Sequence, residues 1–147
     1  MVLSSSAFNN NSKIPSKFTC DGGNINPELI VQNIPTGTKS LALIMEDPDA
    51  PSGTFTHWLV WNISPKTEII KQESVPSGSM EGQNSAGKIG YIGPCPPDGK
   101  PHRYFFKLFA LDIVIVETEN IRSKTELENA IANHVIEKTE LIGIYER

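Results

Sequence analysis

Short apolar runs, separated by Gly, Pro and polar residues, follow one another along most of the chain. Within these runs the apolar positions are either continuous or alternate with polar ones, which is typical of β-strands. The pattern predicts strands at Leu29–Gln32, Ser40–Met45, Thr56–Ile63, His102–Leu111 and Leu141–Tyr145. Such a succession of strands and turns indicates a mainly β fold, with antiparallel sheets packed as a β-sandwich or barrel.

A helical period occurs in one segment near the C-terminal end of the sequence. Ser123 and Glu126 form the S-x-x-E capping pattern that often begins a helix. The residues that follow at helical spacing are Leu127, Ala130, Ile131, His134 and Val135. The sequence therefore predicts an amphipathic main helix at about 123–138 that covers a sheet. We expect His134, on its apolar face, to be a packed residue and not a ligand.

Two polar side chains stand where a predicted hairpin closes. Because side chains alternate faces along a strand, Asp47 lies on the face of Leu43 and Met45 if that strand continues so far. By the same rule His57 shares its face with Leu59. In a hairpin the end of the first strand lies beside the start of the second, so we expect Asp47 and His57 to meet.

A third predicted strand also begins with polar groups, since His102 and Tyr104 share one face there. Pro48 cannot donate a ladder hydrogen bond, so strand pairing is predicted to stop near it and Asp49 can turn away. Buried polar groups are costly unless they have partners. The polar strand ends are therefore predicted to surround one small, partly wet pocket. The alternative is that each is a solvated residue at a loop edge.

Composition narrows the class of protein. The 147 residues, of which 38% are hydrophobic, predict a single domain, 1–147, with one substantial core. A net charge of −4 argues against a nucleic-acid partner, because phosphate-backbone binders present a basic surface. No apolar run approaches the roughly 18 residues of a membrane span, and the first residues do not read as a signal peptide. We therefore expect a cytoplasmic protein.

The cysteines and acidic residues leave an enzymatic alternative open. In a reducing cytosol Cys20 and Cys95 are expected to be thiols that serve packing. Cys95 could instead pair with His57 or His102 as a thiol–imidazole nucleophile. Two aspartates and two histidines could also ligate a divalent metal. No paired CxxC zinc motif is present, so neither a metal nor another cofactor is expected.

Several motifs resemble the phosphatidylethanolamine-binding protein (PEBP) family, which includes the Raf kinase inhibitor proteins. The resemblance covers nearly the whole chain and is strongest to the short prokaryotic branch. The motifs are Phe18–Gly22, Asp47–Pro51, His57–Val60, Gly93–Pro97, His102–Tyr104, His134–Ile136 and Glu140–Gly143. The resemblance implies two packed antiparallel sheets with one or two peripheral helices. It also implies a regulatory or inhibitory role toward a kinase or protease, and pairing as a homodimer.

The resemblance further implies an anion pocket at one end of the sandwich, for phosphate or a phosphorylated head group. The residues expected to line or shape it are Asp47, Asp49, Pro51, His57, Gly93, Cys95, Pro96, His102 and Tyr104. Of these, the alternation of side chains had already pointed to Asp47, His57, His102 and Tyr104.

The resulting hypothesis is a binding protein without catalytic residues. His57, His102 and the Tyr104 hydroxyl would donate hydrogen bonds to the anion, together with backbone N–H groups of Gly93–Cys95. Asp47 would fix the tautomer and charge of His57. The alternative is a hydrolase that uses the same pocket with a metal or with Cys95.

Overall fold

The computed structural model describes all 147 residues and is built mainly of β-strands. Short 3₁₀ turns occur at Ser16–Phe18 and Thr118–Asn120. The elements are β1 (Val2–Ser4), β2 (Ser12–Lys13), β3 (Leu29–Gln32), β4 (Ser40–Asp47), β5 (Phe55–Ile63), β6 (Ile69–Ile70), β7 (Met80–Glu81), β8 (His102–Leu111), α1 (Lys124–Ile131) and β9 (Val135–Tyr145).

The strands form two sheets, which confirms the predicted sandwich class. The smaller sheet has the order β1-β3-β6 and the larger has the order β2-β9-β8-β4-β5-β7. All pairs are antiparallel except β2 with β9. The main core contains side chains from both sheets, among them Leu3, Leu29, Val31, Leu43 and Phe106. The two sheets therefore stabilise each other by burying their facing apolar side chains.

Strand β4 lies at the centre of the larger sheet and is buried along its whole length. Leu41, Leu43 and Met45 belong to the core between the sheets. Ala42 and Ile44 belong to a second cluster on the opposite face, where α1 packs. This burial on both faces explains why the β4 sequence is a continuous apolar run and not an alternating one.

The predicted helix at 123–138 is too long. Helix α1 begins as expected, with Glu126 accepting hydrogen bonds from the Arg122 N–H and the Ser123 hydroxyl, but it ends at Ile131. From Val135 onward the chain is β9, which pairs with β8 along nearly its full length. Val135 fits both the helical and the strand period. The long hydrogen-bonded pairing of β9 with β8 favours the strand, because it satisfies the backbone N–H and C=O groups on that side of β9.

The expectation that His134 is a packed residue is also wrong. Its side chain is 40% exposed, and its Nδ1 lies 2.9 Å from the Asp112 carboxylate at the surface. The helix stops before this position, so the residue never reaches the apolar face on which the helical period would place it.

The cysteines are not thiols, because Cys20 and Cys95 form a disulfide across 75 residues of sequence. The Cys20 N–H donates to the Pro94 carbonyl, so the two segments also meet through the backbone. Disulfides persist mainly in oxidising surroundings, so the argument for a cytoplasmic location loses its support from the cysteines. No helix in the chain has the length and apolar character needed to cross a bilayer.

Candidate functional site

Three neighbouring strands bring polar side chains to one end of the larger sheet. Asp47 ends β4, His57 lies near the start of β5, and His102 and Tyr104 begin β8. Because β4 pairs with both other strands, these side chains converge on one cavity of about 220 Å³. All four are buried, with Tyr104 and His102 at 0% and 2% exposure. The predicted pocket is therefore present as a geometric feature.

A bulge in β5 places His57 in this cavity, which corrects the prediction from alternation. Met45 pairs with Trp58 and Glu46 pairs with Thr56, so His57 is an extra residue with no partner in β4. Regular alternation would put His57 with Leu59, on the face covered by α1. The bulge reverses this, because a bulge re-aims the side chains beside it.

Of the nine residues predicted to form the site, all except Asp49 line the cavity. The lining residues among them are Asp47, Pro51, His57, Gly93, Cys95, Pro96, His102 and Tyr104. The Asp49 carboxylate instead accepts hydrogen bonds from the backbone N–H, Nε and Nη2 of Arg103, at 2.9–3.0 Å. Bonding to Arg103 lowers the pKa of Asp49 to about 2, despite some burial. Asp49 thus ties the end of β4 to the start of β8.

His102 is held between two carboxylates at the floor of the cavity. Its Nδ1 lies 2.7 Å from Asp47 Oδ2, and its Nε2 lies 2.9 Å from Asp98 Oδ1. Burial by itself would lower the pKa of His102, but the bonds and charges of the two carboxylates outweigh burial and raise it. Because both ring nitrogens face carboxylate acceptors, this arrangement favours the imidazolium form of His102. Asp47 therefore fixes His102, and not His57 as expected from the sequence.

His57 has the opposite electrostatic character. Its Nδ1 donates to the Ile92 carbonyl at 2.7 Å, and its Nε2 makes no hydrogen bond within the chain. Burial lowers the pKa of His57, with the nearby positive His102 acting in the same direction, and these outweigh the Ile92 bond and the Asp47 charge. The neutral form of His57 is therefore favoured, and its Nε2 has no partner in the chain.

Tyr104 lies between the two imidazoles and has an unpartnered hydroxyl. Its ring meets the His57 ring edge-on, with centroids 5.2 Å apart, and stacks beside the His102 ring at 6.4 Å. The hydroxyl is buried and makes no hydrogen bond. Burial, with the charges of nearby aspartates, raises the pKa of Tyr104, so the group remains a donor. An unpaired buried hydroxyl is uncommon in proteins and points to an absent partner.

The segment after Ile92 forms one wall of the cavity but offers fewer donors than expected. The Gly93 N–H already donates to Asn24 Oδ1 at 2.7 Å, and Pro94 has no N–H. Of the backbone donors predicted at Gly93–Cys95, only the Cys95 N–H is left. Gly93 is required by close packing, because a Cβ there would lie 2.3 Å from the Phe18 carbonyl oxygen.

The sequence reasoning missed Phe55, Ile92 and Asp98. The Phe55 ring contacts the His57 ring at a tilt, with centroids 4.8 Å apart, and Ile92 supplies the carbonyl that orients His57. Asp98 precedes His102 by four residues in an exposed turn, and this proximity was the available signal. No group of three or more His, Cys, Asp or Glu side chains in the chain is arranged to hold a metal ion.

Comparison with known proteins gives one family over nearly the whole chain. Residues 4–146 match the family model for phosphatidylethanolamine-binding protein. A UPF0098 protein of Methanothermobacter thermautotrophicus is 46% identical, with 100% of this chain and 99% of the relative aligned. A UPF0098 protein of Pyrococcus horikoshii is 49% identical over 97% of this chain and 75% of the relative.

Two crystal structures have the same fold. A phosphatidylethanolamine-binding protein homologue from Chlamydia trachomatis, CT736, has a TM-score of 0.93 and 41% identity, over 99% of this chain and 96% of that one. Escherichia coli YbcL, described as a member of the mammalian PEBP family, has a TM-score of 0.90 and 29% identity, over 99% and 97% of the two chains.

Proposed function

Because the chain belongs to the phosphatidylethanolamine-binding protein family, we propose that its cavity binds a small anion, phosphate or a phosphorylated head group, without chemical turnover. The observation that carries the proposal is the buried Tyr104 hydroxyl, which has no partner and belongs to a ring that stacks beside the His102 ring. A donor and a positive charge at the floor of a cavity favour an anionic acceptor.

Each polar group has a distinct part in this binding. Tyr104 donates to an anion oxygen, and His102 supplies the positive charge that Asp47 maintains. The free Nε2 of His57 accepts a hydrogen bond from a protonated phosphate oxygen, or donates one after protonation. The Cys95 N–H, which has no partner in the chain, is a further donor at the wall.

The size of the cavity limits the ligand. Its volume of about 220 Å³ is below the roughly 300–1,000 Å³ of pockets for drug-sized molecules. The ligand proposed is therefore a head group or a free ion, and an acyl chain would have to lie outside.

The alternative of a hydrolase that uses Cys95 as its nucleophile has less support. In the disulfide the Cys95 sulfur is bonded to Cys20, so it is not a thiolate nucleophile. Regulation of a kinase or protease, pairing as a homodimer and a cytoplasmic location stay predictions from the resemblance and the composition.

Calorimetric titration with inorganic phosphate tests the proposal. We expect saturable binding to the wild type and roughly tenfold weaker binding to Tyr104→Phe, which removes only the hydroxyl. Tyr145→Phe is the matched control, because its hydroxyl bonds Asp21 and does not line the cavity. Equal affinity in all three proteins, or no binding, would contradict the proposal. Release of phosphate from phosphoesters, with and without EDTA, would favour the hydrolase.

A further inference from the structure

We propose that Asp98 is an internal ligand of His102, which an incoming anion must displace, and that it makes the pocket select phosphate groups over simple carboxylates. This inference rests on the proposed anion-binding function and adds the residue that sets its specificity. Asp98 lies outside the family motifs found in the sequence, and its part is visible only from its contact with the imidazolium.

The Asp98 carboxylate accepts the hydrogen bond of His102 Nε2, the donor that an external anion would use. Both its oxygens lie within 3.0 Å of His102 Nε2, while Nδ1 is taken by Asp47. His102 thus has no free N–H as long as Asp98 remains in place. A carboxylate at this position shows which ligand chemistry the imidazolium accepts, since an acceptor anion already satisfies it.

The two carboxylates differ in how firmly they are held. Asp47 is the last residue of β4, and its side chain is 5% exposed. It also accepts a hydrogen bond from the Asp49 N–H. The Asp98 side chain is 30% exposed, and apart from His102 it bonds only the nearby Lys100 N–H. Asp47 is therefore fixed by a strand of the larger sheet, whereas Asp98 is held mainly by His102 itself.

The turn that carries Asp98 lies at the surface. Residues 98–100 are exposed and lie outside any strand. Gly99 has φ +69°, and a Cβ there would meet nothing within 4 Å, so this residue of the turn does not pack against the body of the molecule. The side chain can leave His102 without breaking any sheet hydrogen bond.

The charges around His102 favour an anion that displaces Asp98 over an anion that binds beside it. The two carboxylates already outnumber the single imidazolium, so another anion next to Asp98 would be repelled. A tethered group competes at an effective concentration in the millimolar range. A free carboxylate offers the same chemistry as Asp98 and has no advantage over it. A phosphate dianion has more charge and further oxygens that reach the Tyr104 hydroxyl, so it can displace Asp98.

Substitution of Asp98 tests the inference by calorimetric titration with phosphate and with acetate. We expect Asp98→Ala to bind phosphate at least about tenfold more tightly than the wild type. In this variant His102 Nε2 is always free, whereas in the wild type Asp98 occupies it most of the time. We also expect acetate binding to appear in Asp98→Ala at concentrations that give none in the wild type. Asp98→Asn, which keeps an acceptor for the Lys100 N–H without the charge, should show an increase in the same direction.

Asp112→Asn is the matched control. Asp112 pairs with the exposed His134 outside the cavity, and its substitution changes the net charge by the same amount. Unchanged phosphate affinity in both Asp98 variants would overturn the inference while leaving anion binding intact. Equal gains in the Asp112 variant would also overturn it, by showing a general charge effect. Absence of phosphate binding in every variant would overturn the proposed function and this inference together. Melting temperatures establish that each variant is folded.

Discussion

At the scale of single residues, the groups around the cavity are arranged for an occupant at some cost to the free protein. Tyr104 keeps a buried hydroxyl without a partner. A buried polar group that lacks a hydrogen bond destabilises the fold by about 1–3 kcal/mol. Binding sites commonly carry such penalties, because their polar groups are satisfied only by the ligand.

Tyr104→Phe is expected to separate stability from binding. Removing an unpaired buried hydroxyl should leave the free energy of unfolding unchanged or raise it by up to about 2 kcal/mol, although the same variant binds phosphate less well. Urea denaturation measures the difference. Tyr145→Phe should lose about 1 kcal/mol, because its hydroxyl donates to Asp21 at 2.6 Å. A large loss of stability in Tyr104→Phe would mean that the hydroxyl has a partner in the folded protein.

The raised pKa of His102 gives the stability of the protein a definite dependence on pH. A group whose pKa is raised by folding stabilises the folded state below its unfolded pKa, about 6.5, and loses this effect as the pH rises through the folded value. We therefore expect the difference in unfolding free energy between the wild type and His102→Gln to be largest near pH 6 and to shrink at higher pH. Denaturation curves across that range measure it, and a difference that grows with pH would contradict the assignment.

At the scale of elements, buried charges join α1 to the larger sheet. Glu46 on β4 pairs with Lys107 on β8 and with Lys124 in α1, and its side chain is 7% exposed. Burial would raise the pKa of Glu46, but the two lysines outweigh it and lower the value. This carboxylate therefore contributes both to sheet pairing and to the docking of the helix.

Glu46→Gln is expected to destabilise the protein by about 1–3 kcal/mol near neutral pH, because two lysines lose a partly buried partner. A carboxyl with a lowered pKa stabilises the folded state above its unfolded value and loses the effect as the pH falls. The difference from the wild type should therefore shrink below about pH 4. Glu140→Gln, at an exposed position opposite Lys107, should change stability by less than about 0.5 kcal/mol. Equal effects of the two substitutions would contradict this account.

Alternation and turn signals predicted the elements that obey a regular period. The start of β4 and the bounds of β3 and β8 are those predicted from the sequence. Asp47 reaches the cavity on the predicted face. His57 reaches it only through a bulge, which no count of alternating positions contains. Val135 fits two periods at once, and only its pairing with β8 decides between them. The proximity of Cys20 to Cys95 depends on the folded chain, whereas the four-residue spacing of Asp98 and His102 is present in the sequence.

At the scale of the whole molecule, the disulfide connects the N-terminal third of the chain to the cavity. Cys20 follows the 3₁₀ turn at Ser16–Phe18, and Cys95 lies in the wall that contains Gly93. Gly93 packs against the Phe18 carbonyl, so the linked segments fit closely. Movement of one segment would therefore shift the wall of the cavity.

Reduction of this disulfide is expected to lower the free energy of unfolding by about 2–4 kcal/mol, because the open chain regains the entropy of a 75-residue loop. We also expect weaker phosphate binding, since the Cys95 wall is no longer fixed. Urea denaturation and phosphate titration with and without reductant measure both effects. The Cys20→Ala, Cys95→Ala double variant should be insensitive to reductant. An unchanged wild type would show that the bond has no part in stability.

The complete burial of β4 has a consequence for the order in which the protein opens. Amide hydrogens in a central strand exchange with solvent only through large openings, whereas those of exposed turns exchange through local fraying. Asp47 ends that central strand, while Asp98 sits in an exposed turn. Ordinary fluctuations should therefore separate Asp98 from His102 repeatedly and leave the floor of the cavity in place, so that an arriving ion meets a surface that is already formed.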